Sequence, residues 1–285
     1  MSRVFASSRV PHPIPYQGSK RRLAAEILAF APESIDCMFE PFAGSAAVTL
    51  AAAHAQRARR YILSDKLEPL AELWRWILSR PETIATEYER QWIAQERDPR
   101  GHYLRARDAF NRTGDPGLLL YLLARCVKNA VRFNARGQFN QSADHRRRGV
   151  HPRKMRDQIL GAAAVLGSCC EVLAADYADV INCAGPRDFV YLDPPYQGVS
   201  DTGDPRYFEQ LDYERFVDRL TDMRGRQVPF AVSFDGYCGQ REYGQPLPDS
   251  LGLDRVLLSP ARSAQATLSG RAASTRESLY IQPTL

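Results

Sequence analysis

The chain has 285 residues, 44% of them hydrophobic, a net charge of +5 and six cysteines. That content supports a globular core in one large domain or two modest ones and excludes wholesale disorder. No apolar run approaches the roughly 20 residues that cross a bilayer, the N-terminus lacks a signal-peptide stretch, and the scattered cysteines suit reduced thiols in a cytoplasm.

In chain order, IDCMFEPFAGSAAVTLAAAHAQ predicts a short strand at Cys37–Phe39, a turn at Pro41–Gly44 and an alanine-rich helix. RRYILSDKLEPLAELWRWIL then reads as strand, acidic strand end and helix. Together they make a βαβ unit and point to a parallel sheet. From Trp74 to about Leu166 strand signals vanish, and PETIATEYERQWIAQE and LLLYLLARCVKNAVRF both carry helical stripes. Strands return in CCEVLAAD, DFVYLD, VPFAVSFDG, LDRVLLSP and ESLYIQP, with a helix at YERFVDRLTDM between the second and third. No helix separates the last two, which predicts an antiparallel pair closing the sheet.

Charge is unevenly spread. Between Ala71 and Ala164 there are 18 basic and ten acidic residues, so this segment carries more than the whole net charge. From Tyr121 to Arg156 ten basic residues face one acid, Asp144. An arginine-rich composition explains arginine over lysine; the clustering looks like a footprint for a polyanion.

In an open α/β sheet ligands bind beyond the carboxyl ends of the strands. Three acids fall at such ends: Glu40, Asp65 and Asp193. A lone strand-end acid is ordinarily a cap or turn former, but three beside the glycine-containing turn of FEPFAGSAAV point to a site. Gly44 lets backbone approach a ligand. The turn is neither a G-x-G-x-x-G fingerprint nor a P-loop. Asp65 is placed to accept from ribose hydroxyls, so the pair suggests a nucleoside-containing cofactor without a demanding phosphate site.

The segment FVYLDPPYQG ends a strand on Asp193 and follows it with Pro194, Pro195 and Tyr196. DPPY after a strand resembles the catalytic motif of S-adenosylmethionine-dependent amino methyltransferases. The other motifs fall in the order of Dam-like (alpha group) DNA adenine-N6 methyltransferases. PIPYQGSKRRLAAEIL is similar to that family's N-terminal cofactor motif, FEPFAGSAAV to its cofactor turn and YILSD to its ribose-binding strand. RFNARGQFN is similar to its R-x-N-x-x-G-x-F-N segment, and AADYADVI to the Asp-aromatic pair bordering the cofactor adenine.

The resemblance implies a Rossmann-like methyltransferase sheet, residues 1–72 and 165–285, with a helical target-recognition insertion at 73–164. It implies S-adenosylmethionine as cofactor, no metal, duplex DNA as partner and a cytoplasmic place of action in a bacterium or phage host. A cognate restriction endonuclease is an expected partner if the enzyme is the modification half of a restriction system. Expected cofactor residues are Tyr16, Gly18, Lys20, Glu40, Pro41, Phe42, Gly44, Asp65, Asp176, Tyr177 and Asp193. The family's turn commonly has a second glycine where this chain has Ala46, which is tolerated if Ala46 keeps φ below zero.

The chemistry fits the residue types. An exocyclic adenine amine is a poor nucleophile because its lone pair is delocalised into the ring. Acceptors for its hydrogens, the Asp193 carboxylate and the Pro194 carbonyl, let the nitrogen become more tetrahedral, and two prolines hold them in place. Tyr196 can stack on a base flipped from the duplex. Arg132, Asn134, Gly137, Phe139 and Asn140 are expected at the DNA, with Arg146, Arg147, Arg148 and Lys154 on phosphates. The polar loop SPARSAQATLSGRAASTRE is suited to a DNA backbone or to being plain surface.

Other acceptors keep the same fold: a cytosine amino group, structured RNA or a protein amide. Asp rather than Asn at position 193 disfavours the amide, and the basic insertion favours nucleic acid. Carbon-5 cytosine methylation needs a cysteine nucleophile, and no Pro-Cys pair occurs. A non-catalytic DNA-binding protein is the remaining alternative.

Overall fold

A computed structural model describes residues 9–195, 211–238, 241–243, 245–259, 261–262 and 274–283. Tyr196 and most of the polar loop after Ser259 lie outside them.

The predicted βαβ start is present. Strand β1 (Ile35–Glu40) leads into helix α2 (Ala47–His54) and strand β2 (Ala58–Ser64), after a short helix α1 (Ala24–Leu28). Strand β3 (Cys170–Leu173), helix α8 (Tyr177–Ile181) and strand β4 (Phe189–Leu192) follow the long middle segment. Helix α9 (Tyr213–Gly225) precedes strand β5 (Phe230–Cys238). Strands β6 (Arg241–Tyr243), β7 (Asp254–Leu257), β8 (Ala261–Arg262) and β9 (Ser274–Ile281) complete the described sheet.

The strand order is β3-β2-β1-β4-β5-β9-β7, parallel through β5 and antiparallel at β5–β9 and β7–β9. This is the expected mostly parallel, Rossmann-like sheet with its closing antiparallel pair. Burial follows the strand period of two. In β4, Phe189 and Tyr191 enter one apolar cluster, while Val190 and Leu192 enter the other. Both faces are therefore covered, which is why β1 and β4 are apolar runs rather than alternating ones.

Five α-helices occupy the segment between β2 and β3. Helices α3 (Glu68–Ser79) and α4 (Pro81–Ala94) each open on a proline in the first turn. Helix α5 (Pro99–Thr113) is capped by Asp98 and stopped by left-handed Gly114; α6 (Pro116–Arg125) is capped by Asp115. Helix α7 (Pro152–Leu166) returns against α4, α3 and α2. The apolar cluster runs unbroken from Leu63 and Tyr191 through Trp74, Tyr88 and Tyr121 to Phe139.

One helical stripe stops early. LLLYLLARCVKNAVRF predicts a helix through Phe133, but α6 ends at Arg125. Cys126 turns extended, and Lys128 and Asn129 take φ of 60° and 53°. The Asn129 side chain donates to the Leu123 carbonyl at 2.7 Å, satisfying an open helix end. The chain beyond forms a small hairpin through the Phe133–Phe139 bridge.

Candidate active site

β1 and β4 are neighbours, yet the chain proceeds from β1 toward β2 and β3 on one side and from β4 toward β5 on the other. Loops diverge at such a switch point and open a crevice. A cavity of about 270 Å³ lies there. Its wall contains Glu40 from the end of β1, Asp65 after β2, and Asp193, Pro194 and Pro195 after β4. Tyr16, Gly18, Lys20, Phe42, Gly44, Asp176 and Tyr177 line it too. Among the expected cofactor residues Pro41 is the one not in the wall; it is buried, and its carbonyl accepts from Ser64 Oγ at 3.3 Å.

The glycine turn is held from several sides. Gly44 has φ +47°, donates its amide to Asp65 Oδ2 at 3.1 Å and accepts from Trp74 Nε1 at 3.0 Å. A Cβ there would meet the Tyr16 ring at 3.2 Å, so both conformation and contact call for glycine. Ala46, fully buried, has φ +48° and lies outside the range that tolerates alanine freely. It carries a strain of about 1–2 kcal/mol. Ala46→Val is therefore expected to destabilise by about 3 kcal/mol, from a β-branched residue in the left-handed region plus overpacking. Ala46→Gly should stay within about 1 kcal/mol, because relieved strain offsets lost methyl burial and added chain entropy. Urea unfolding checks both, and a valine variant as stable as the parent would contradict the placement.

Glu40 is buried, and its Oε2 accepts from the Thr49 amide at 2.8 Å in the first turn of α2. Burial pushes its carboxyl up to about 7; the Thr49 hydrogen bonds oppose that rise and the charge of Asp193 adds to it. Asp65 is also raised by burial, against hydrogen bonds from Leu67 and Gly44.

Lys20 is neither a solvated helix-start lysine nor a residue merely near the cofactor. It is 4% exposed, with Nζ 2.8 Å from Asp193 Oδ1 and 3.2 Å from Glu277 Oε2. Burial alone would lower its pKa, but Asp193 and then Glu277 outweigh that and raise it well above the usual lysine value. The ammonium is held charged beneath the proline corner.

Also in the cavity wall, the rings of Phe42 and Tyr177 stack with centroids 5.0 Å apart, and the Arg215 guanidinium lies 5.6 Å above Tyr177. Asp176 caps α8 through the Ala178 amide at 3.0 Å and faces Arg215 at 3.2 Å and Lys66 at 3.7 Å. The Tyr177 hydroxyl is buried without a hydrogen-bond partner among the described residues, and burial pushes it up to about 12. An aromatic stack, acids at two strand ends and an orphaned hydroxyl fit a nucleoside.

The expected DNA residues divide into two groups. Arg132 to Asn140 make a tight hairpin in which Asn134 Oδ1 accepts the amides of Arg136 and Gln138 at 2.9 and 3.0 Å. Gly137 turns it at φ +70°, and Asn140 donates its amide to the Arg132 carbonyl at 3.0 Å. Asn134, Gly137 and Asn140 are exposed and Arg132 half-buried. Phe139 lies beneath this surface, 1% exposed and edge-on to Phe110 and Phe133. Its ring anchors the hairpin and does not reach the surface on which DNA was expected.

Arg146, Arg147 and Arg148 form an exposed ridge on a buried polar base. Asp144, 3% exposed, takes Arg146 and Arg147 at 3.4 and 2.8 Å. Buried Arg125 donates to the carbonyls of Asp144 and Arg147, and Gln95 to that of Arg148 at 3.0 Å. Lys154 is exposed in the first turn of α7. Val131 lines the cavity, and Gln17 donates to the Asn129 carbonyl at 2.9 Å, so the hairpin root touches the site.

Sequence reasoning missed Trp74, Lys66, Arg215 and Glu277. Lys66 follows a strand-end acid and could have been weighed; the others carry no local motif.

Residues 16–232 match the family described as D12 class N6 adenine-specific DNA methyltransferase. The chain is 28% identical over 239 residues to the DNA adenine methylase of Salmonella typhi, covering 81% of this chain and 82% of that one. It is 26% identical over 237 residues to the DNA N-6-adenine-methyltransferase of Escherichia phage P1, covering 80% of this chain and 30% of that one. Against the modification methylase StsI of Streptococcus sanguinis it is 26% identical over 193 residues, with 66% and 29% covered. It thus spans less than a third of the phage and streptococcal proteins and most of the Salmonella one. The matched stretch runs from Tyr16 in the cavity wall past the Asp193 corner into β5, and the chain belongs to the D12 class of N6 adenine-specific DNA methyltransferases.

Proposed function

We propose that this chain transfers a methyl group from S-adenosylmethionine to the exocyclic amine of an adenine flipped out of duplex DNA. One observation carries the reading. The Asp193-Pro194-Pro195 corner opens into the same cavity as the Gly44 turn, Asp65 and the Phe42–Tyr177 stack, so an acceptor for amine hydrogens and a nucleoside pocket share one wall. Phe42, Asp65, Asp176 and Tyr177 would hold the nucleoside half of the cofactor. Glu40, whose carboxyl feels the Asp193 charge, and Gly18, whose carbonyl accepts from the Lys20 ammonium at 3.3 Å, would hold its amino-acid half. Bound there, S-adenosylmethionine supplies a methyl group already activated on a sulfonium.

The protein's own work is positioning and electrostatics. Asp193 and the Pro194 carbonyl accept the amine hydrogens, which draws the nitrogen lone pair out of conjugation. One proton must leave the nitrogen as it gains the methyl group, and it leaves along the hydrogen bond to Asp193. The prolines fix φ, so these acceptors need no reorganisation at the moment of transfer. Lys20 keeps Asp193 ionised and aimed.

Residues 73–164 would be the DNA-reading insertion, with Asn134, Gly137 and Asn140 presented on the hairpin and Arg146 to Arg148 on phosphates. Replacing these three arginines with glutamine should weaken DNA binding and lower the slope of log affinity against log salt by about 2–3, since each phosphate contact contributes roughly 0.9. An unchanged slope would show the ridge to be a bystander. The modification methylase among the relatives supports a pairing with a restriction endonuclease, and such work would take place in the cytoplasm, at the DNA. Among the described residues no helix is long and apolar enough to cross a membrane.

Methyl-labelled cofactor offered with duplex DNA, or with structured RNA of matching sequence, tests the substrate class. Label in DNA is expected; label in RNA alone would overturn the proposal.

A further inference from the structure

Lys20 is shared by two carboxylates, and the chemistry above uses only one. Its Nζ lies 2.8 Å from Asp193 and 3.2 Å from Glu277. Glu277 sits on β9, in register with Gly236 of β5, in the antiparallel part of the sheet and beyond the matched residues 16–232. Its backbone carbonyl already serves the fold by accepting from the Leu258 amide at 2.9 Å. Its side chain turns to the lysine.

A buried ammonium between two acids differs from a single ion pair. With one partner its attraction falls on that acid alone, which binds it tightly and loses proton affinity. With two, the ammonium is divided, and each carboxylate also feels the other's negative charge. Asp193 must offer lone pairs to the hydrogens of an amine. A lysine wholly committed to Asp193 would compete for those lone pairs and leave a weaker acceptor.

We propose that Glu277 is a positioning residue for methyl transfer: it holds part of the Lys20 ammonium, fixes that ammonium under the proline corner and keeps Asp193 a strong enough acceptor. The proposal rests on the functional reading above, in which Asp193 receives the amine hydrogens. Titratable neighbours include Glu40 from β1, which holds its proton below about 7 and so is uncharged across the acidic limb, and Tyr191 from β4, which acts on Lys20 and shares a hydrogen bond with Ser233. Both stay in place when Glu277 is changed.

The test follows the single-turnover rate of labelled-methyl transfer to duplex DNA against pH, with cofactor affinity measured by titration. Glu277→Gln removes the negative charge near Asp193, so Asp193 protonates at lower pH. The rate is expected to fall about tenfold or more and its acidic limb to move down by about half a pH unit. Cofactor affinity should stay within about twofold, on the same differential-effect logic. Glu277→Asp keeps the charge and should keep the parent's limb. A Gln variant with the parent's rate, or with a lower rate on an unmoved limb, overturns the proposal. If the Gln variant does not fold, Glu277→Thr, which also removes the charge and suits a strand, decides: a lowered rate with a lowered acidic limb supports the proposal, and the parent's rate overturns it. A parent chain that labels no adenine in DNA would instead bring down the functional reading itself.

Discussion

Asp193→Asn is expected to lower the methyl-transfer rate by about 10³-fold while leaving cofactor affinity nearly unchanged, at the upper end of what losing one preorganised transition-state contact costs. Asparagine has the same shape, and its amide oxygen can still accept from Lys20 at the position now 2.8 Å away. What it cannot do is offer the amine a full carboxylate, because one of its two polar atoms carries hydrogens. Those hydrogens would face the hydrogens of the base. The loss should appear in the chemical step, so single-turnover rate and cofactor titration together separate it from a binding defect. A variant that keeps even a tenth of the parent's rate would remove Asp193 from its assigned place.

Glu40 gives the second large effect, and here stability and function should move in opposite directions. Its carboxyl titrates near 7 in the folded protein against an ordinary value of 4.5. Between those values the folded chain keeps a proton that the unfolded chain has lost, so stability falls as pH rises through the window. The difference amounts to about 3 kcal/mol once both states are ionised. Glu40→Gln has no such titration, and its amide oxygen can still accept from the Thr49 amide. The variant is expected to be more stable than the parent by about 2–3 kcal/mol at pH 8 and to match it near pH 4.5, by urea unfolding at both values. It should bind the cationic cofactor about tenfold less tightly, one lost charge-assisted contact. A variant whose stability advantage does not grow with pH would show that Glu40 is not a buried, raised acid.

These two residues also show what was legible in the chain. Glu40, Asp65 and Asp193 were visible because a strand that ends on an acid leaves a local mark, and the switch point gathers such ends by topology alone. The closing antiparallel strands were legible because no helical stretch separated LDRVLLSP from ESLYIQP. Phe139 was misplaced because a motif lists its residues without their burial: its ring packs between Phe110 and Phe133 under the hairpin. The overrun of α6 had a similar cause. The apolar stripe continued past Arg125, but Asn129 capped the helix end and Cys126 had already turned extended. Lys20's partners were beyond local reading altogether, since the Asp193 contact bridges 173 residues of chain and Glu277 stands in a strand with no motif around it.

Ala46 is the instructive departure. A family glycine replaced by alanine left two possibilities in the sequence, and the backbone takes the strained one at φ +48°. The turn is bounded by α2, Trp74 and Tyr16 on the Gly44 side, and these contacts outweigh about 1–2 kcal/mol of local strain.

The most direct measurement digests duplex DNA to nucleosides after incubation with the protein and methyl-labelled S-adenosylmethionine, and asks by mass spectrometry which base carries the label. Label in N6-methyldeoxyadenosine, absent when Asp193→Asn replaces the parent, is the predicted result. Label in N4-methyldeoxycytidine, or equal labelling by the Asp193→Asn protein, would contradict it.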